Sequence, residues 1–126
     1  MITHTLSFGT FTIYPQIMVG ELAEGTNLDI DKLRTLKALA EEHYEEPFGY
    51  IGNRVNSFSI DPCTYRALKP MSNLVSLAYV TYSAAQRHAL GLERDFLPSI
   101  PVGTFYRLDD AFRWTEQMLP QVRAYK

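Results

Sequence analysis

Three features of the chain predict an α/β fold, a mixed sheet of about five strands with about four helices packed on it, mostly on one face. Short β-prone stretches open the chain, an uncharged apolar run stands at residues 74–82, and from residue 29 onward helical and strand-like patterns alternate. Of the 126 residues, 46% are hydrophobic, 13% aromatic and 21% charged. A chain of this length buries about two thirds of its unfolded surface without disulfide or metal staples, so residues 1–126 are expected to form a single domain.

Leu6, Phe8, Phe11, Ile13, Ile17 and Val19 fall in stretches broken by Gly9-Thr10 and Pro15, the pattern of a two- or three-stranded antiparallel meander. After the loop Ala23–Asn27 comes a helix over about 29–44, with Ile30, Leu33, Leu36, Ala40 and His43 near one face. Asn27 or Asp29 can cap it and Asp31 suits its positive end. Pro47 stops it, because the residue before a proline is pushed out of helical conformation. A strand over 48–53 follows, then the polar segment 54–61. Pro62 after Asp61 opens a short helix to about Lys69, since proline's missing N–H would have no helical partner there.

The run Leu74–Tyr82 carries no charge, which suits a central strand buried on both faces. Ser83 can cap a helix to about Phe96, a last strand spans 102–107, and a last helix runs from Asp109 to about Arg123. Ala111, Phe112, Thr115, Met118 and Leu119 face inward on that helix. Strands joined by single helices become parallel neighbours through right-handed crossovers.

Charge and cysteine use narrow the function. Twelve Lys and Arg stand against 14 Asp and Glu, a net charge of −2, with no basic stripe, which argues against nucleic acid as the main partner. The single cysteine, Cys63, allows no intramolecular disulfide and points to a reducing, cytoplasmic setting. The N-terminal residues lack a positive charge followed by a long apolar run, and no stretch of about 18 apolar residues occurs, so a soluble protein with no membrane span is expected. A homodimer is the base-rate assembly.

The stretch Pro47-Phe48-Gly49-Tyr50-Ile51-Gly52-Asn53-Arg54-Val55-Asn56-Ser57-Phe58-Ser59-Ile60-Asp61-Pro62 resembles small bacterial proteins of the SpoIIAA-like superfamily, which comprises the STAS domains and the related CRAL-TRIO lipid-binding modules. Asn73-Leu74 and the closing Phe105–Trp114 segment resemble the same proteins, and the likeness covers most of the chain. It implies a SpoIIAA-like mixed sheet and a protein-binding or regulatory role. In STAS domains the loop between a central strand and the next helix carries a serine or threonine phosphorylated by a partner kinase, and Ser57 and Ser59 lie in the matching loop. Here Asn56-Ser57 and Phe58-Ser59 replace the Asp-x-Ser-Gly context of that family.

Arg54, Asn56, Ser57, Ser59 and Asp61 form the candidate ligand- or partner-binding set. They lie where a strand runs into a helix start, beyond the carboxyl end of the strand, where open α/β sheets bind ligands and where free N–H groups attract anions. The same residue types also serve as caps and turn-formers. Tyr50, Phe58, Tyr65, Tyr79, Tyr82 and His88 can converge with Met71 on an apolar pocket, or simply fill the core. His4, His43 and His88 show no metal spacing, so no metal and no cofactor is expected. Gly49 and Gly52 open no phosphate-binding pattern, and no serine stands in a nucleophile elbow. Cys63 at a helix start is either a reactive thiol or a small buried residue.

The expectation is therefore a non-enzymatic cytoplasmic binding or regulatory module with its contact surface around 54–61. The alternative is a carrier or sensor of a small apolar or lipid ligand held between helices and sheet. Catalysis through Cys63 or His88 has no partner spacing to support it.

Overall fold

A computed structural model of the chain describes residues 1–56, 58–60, 64, 73–93 and 100–119. In chain order the elements are β1 (Ile2–Leu6), β2 (Gly9–Ile13), β3 (Ile17–Leu22), β4 (Asn27–Leu28), α1 (Ile30–His43), β5 (Phe48–Asn53), β6 (Ser59–Ile60), β7 (Leu74–Val80), α2 (Ala84–Glu93), β8 (Val102–Phe105) and α3 (Leu108–Met118). The main sheet is mixed and runs β1-β2-β3-β5-β7-β8. Its first three strands form the antiparallel meander, and β3, β5, β7 and β8 run parallel.

The sheet has six strands rather than about five, because the opening stretch resolves into three. The parallel pair β4-β6 was not anticipated, since two residues per strand carry no periodicity. Three helices occur among the described residues. The short helix expected over 62–69, and the ends expected at 96 and 123, lie outside them.

Alternation along the strands gives the sheet two apolar faces. On one, Phe11, Met18, Phe48 and Leu77 pack with Leu36, Leu39 and Ala40 of α1 and Leu90 of α2. On the other, Ile17, Val19, Ile51, Ala78 and Val80 pack with Ala111 of α3. Two of the three helices thus share one face. The second face is built for close approach: a Cβ on Gly49 would overlap Thr115 Cγ2 of α3.

Local signals explain the boundaries. Asp29 is the N-cap of α1, its Oδ1 accepting from the Lys32 N–H at 3.0 Å. Ser83 Oγ accepts from the Gln86 N–H at 3.1 Å and opens α2. Strand β7 stops at Val80 rather than Tyr82 because the Tyr82 N–H already donates to Gln86 Oε1, drawing the chain into that turn. At the other end of α1, Tyr44 stacks on Phe48 with centroids 4.5 Å apart, and Asn73 Nδ2 donates to the Tyr44 carbonyl at 3.0 Å. No helix among the described residues is long and apolar enough to cross a membrane.

Candidate functional site

The polar loop after β5 is drawn inward. Arg54 is only 5% exposed. Its N–H donates to Val80 O, prolonging the β5-β7 ladder by one residue, and its carbonyl accepts from Gln86 Nε2 at 2.7 Å. The guanidinium lies over two rings, 4.8 Å from the Phe58 centroid and 5.0 Å from that of Tyr79, an arrangement worth most where water is excluded. Asn56 is half-buried and donates to Leu22 O at 3.1 Å. Ser59 belongs to β6 and sits opposite Asn27. Ser57 and Asp61 lie outside the described residues, as do Tyr65, Met71 and Cys63. Of the five predicted contact residues, Arg54 and Asn56 are therefore held within the fold, whereas Val55 between them is exposed.

Arg54 and Phe58 help to line a cavity of about 90 Å³ between α1 and the sheet. Leu33, Leu36 and Ala40 of α1 form its roof. The floor is Met18 and Gly20 of β3, Tyr50 and Gly52 of β5, and Leu77 and Tyr79 of β7. Phe48 and Leu74 stand at the amino ends of the strands, and Arg54 and Phe58 at the carboxyl ends. Two glycines create the space for the floor. A Cβ on Gly20 would overlap the Tyr50 hydroxyl, and one on Gly52 would sit 2.9 Å from Tyr79 Cδ1, so both tyrosine rings lie across bare backbone.

Charge in this cavity is of one sign. Lys37 and Arg54 are the charged residues among the described lining, which includes no carboxylate. Tyr50 supplies a polar group. Burial first, and then neighbouring Tyr79, push its pKa above the ordinary phenol value of 10.0, against a smaller opposing pull from Arg54. Its hydroxyl therefore remains a protonated donor, and among the described residues no hydrogen bond engages it.

The expected convergence of aromatic residues is thus met in part: Tyr50, Phe58 and Tyr79 line the cavity, and Tyr82 and His88 do not. Tyr82 is 53% exposed, its hydroxyl donating to Asn53 Oδ1 at 2.6 Å, and His88 is exposed on α2. Gly20, Leu36 and Lys37 had not been singled out for a site. Only the alternation that puts Gly20, Tyr50 and Tyr79 on one sheet face signals their grouping.

Among the described residues no cluster of three or more His, Cys, Asp or Glu side chains is placed to hold a metal ion. Two histidines do meet, His4 of β1 and His43 of α1, with Nε2 atoms 2.9 Å apart. Comparison with protein-family models, curated proteins and solved structures finds no match to this chain.

Proposed function

We propose that this protein is a non-enzymatic binding module for a small amphipathic ligand, with an apolar body and an anionic or hydrogen-bond-accepting end, held between α1 and the sheet. The observation that carries this reading is the cavity itself. Its 90 Å³ far exceeds the roughly 10–15 Å³ that one water needs, and its walls are mainly leucine, methionine, alanine and aromatic side chains beside the bare backbone of two glycines. The lining is almost wholly apolar, and Tyr50 and Arg54 stand close enough to influence each other, which favours a ligand whose apolar body fills the space and whose polar end meets these two residues. Arg54 and Phe58 then serve as the wall of the cavity at the carboxyl ends of the strands.

Calorimetric titration with straight-chain carboxylates from hexanoate to dodecanoate, and with the matching alcohols, tests this. The expected result is saturable binding at one site, tighter for the carboxylates and abolished in Leu36→Trp, whose ring fills the cavity. Absence of saturable binding, or binding indifferent to Leu36→Trp, overturns it.

A second reading, regulatory docking at the same end of the sheet, draws on a separate observation. Val55, Tyr82 and Tyr106 are 45%, 53% and 68% exposed, and each follows the carboxyl end of a parallel strand. A covalent phosphoryl increment on Ser57 or Ser59, in the intact mass of protein from its own host, supports that role. Unmodified protein counts against phosphorylation control.

A further inference from the structure

The cavity between α1 and the sheet has two unlike ends. At the amino ends of the strands its walls are Phe48, Leu74 and Ala40, all buried and all without a polar side-chain atom. Phe48 is backed by Tyr44, whose ring stacks on it at 4.5 Å and only 6° from parallel. Tyr44 is fixed in turn by its hydroxyl, which donates to the Tyr14 and Ile17 carbonyls. At the carboxyl ends stand Arg54 and Phe58, and the described lining residues that are only half-buried are Lys37, Tyr50 and Phe58. The Tyr50 hydroxyl points the same way: it lies against Gly20, whose partner in the ladder is Gly52, two residues along the strand toward Arg54.

On the reading of this cavity as a ligand site, on which the present step depends, we infer that an unbranched carboxylate lies along the strands, its charged end near Arg54 and the Tyr50 hydroxyl and its tail toward Phe48, and that Phe48 is the stop that selects chain length.

The direction follows from where a charge can be taken out of water. Among the described residues lining the Phe48 end, no side chain offers a donor or a cation, so a carboxylate buried there would lose its hydration with nothing in return. At the other end a guanidinium and a phenol both donate, and a charge-assisted hydrogen bond is among the stronger ones. The length follows from the register. The Tyr50 hydroxyl lies at the level of Gly52, and from there to Phe48 the strand runs about 13 Å at roughly 3.3 Å per residue. Less the width of the Phe48 ring, that leaves room for a tail on the order of eight carbons. The stop is firm because it is a stacked pair inside the core, where packing gives way little.

Titration of the full chain with the unbranched carboxylates from butanoate to dodecanoate tests the stop. Affinity should rise about fourfold per added methylene while the tail is being buried, and level off or fall beyond about eight carbons. Phe48→Leu, smaller by about one methylene, should move that break outward, so that decanoate gains on octanoate by about fourfold. In unaltered protein, the terminal methyl of bound octanoate should show nuclear Overhauser effects to the methyls of Leu74 and Ala40, a readout that needs no variant to fold. A terminal methyl beside Leu28 and Leu33, or affinity that climbs unbroken to dodecanoate, overturns this orientation and leaves the cavity a ligand site. Absence of saturable binding by every member of the series overturns the ligand site itself, and the stop with it.

Discussion

The hydroxyl of Tyr50 lies against the Cα of Gly20 on the neighbouring strand, so closely that a methyl group on that glycine would overlap it. Register puts Gly20 opposite Gly52, two residues beyond Tyr50, so the ring crosses from its own strand over bare backbone. Gly20→Ala therefore forces Tyr50 up into the cavity. The expected cost is about 1–3 kcal/mol of stability, as for other overpacked interiors, together with loss of carboxylate binding. Urea unfolding and calorimetry on the same preparation check both, and full binding in Gly20→Ala would separate the ligand site from this floor.

Tyr44 and Tyr50 are held as neutral phenols. Burial is the main cause that raises both above the ordinary value of 10.0, and the Tyr44 hydroxyl donates to the Tyr14 and Ile17 carbonyls, each 2.8 Å away. A folded-state pKa above the unfolded one contributes stability that is fully present below pH 10.0 and lost as pH rises beyond it. Of the eight tyrosines, these two should ionise only with cooperative alkaline unfolding, followed by absorbance near 295 nm and circular dichroism. Tyr44→Phe removes the donor to the Tyr14 carbonyl, whereas the Ile17 carbonyl keeps the Tyr14 N–H at 2.9 Å, and should cost about 1–3 kcal/mol at neutral pH.

Asp29 gives the opposite pH dependence. Its carboxylate accepts from the Lys32 N–H and pairs with Lys32 Nζ at 3.1 Å, interactions that hold its pKa below the ordinary 3.8. A lowered folded-state pKa contributes stability present above pH 3.8 and lost as pH falls through the folded value. Asp29→Ala should lower the melting temperature at neutral pH, and by less in acid, where the protonated side chain still accepts the Lys32 N–H but no longer carries the charge. Asp29→Asn keeps the cap, so it should retain most of the stability and lose the pH dependence. A difference between Asp29→Ala and the parent that persists unchanged into acid would show that the charge is not involved.

Local chemistry was legible where residues near in sequence determine the outcome. The β5 boundaries, the cap of α1 at Asp29 and that of α2 at Ser83 follow from alternation, proline placement and short polar side chains. The meeting of His4 with His43 depends on where the end of α1 comes to rest against the edge strand, and no local pattern carries that. Arg54 read as a loop residue available to a partner, because its type is seldom buried; two aromatic rings reached from β7 and from the loop made burial possible. Gly52 was weighed for phosphate binding, whereas its role is steric, an absence of side chain whose value depends on a tyrosine one strand away.

The same kind of contact holds α3 to the opposite face. A Cβ on Gly49 would overlap Thr115 Cγ2 and lie 2.8 Å from Ser76 Oγ, and all three residues are buried. Gly49→Ala should therefore push α3 away from β5, at about 1–3 kcal/mol. Thr115→Ser removes the offending methyl and keeps the hydroxyl that donates to Ala111 O at 2.8 Å. The double variant should recover part of the loss, so a double-mutant cycle read by urea unfolding should show non-additivity of the order of 1 kcal/mol, as for residues in contact. Strict additivity would mean that the strain of Gly49→Ala falls on Ser76 and the strand backbone, and that α3 does not set the limit on side-chain size at this position.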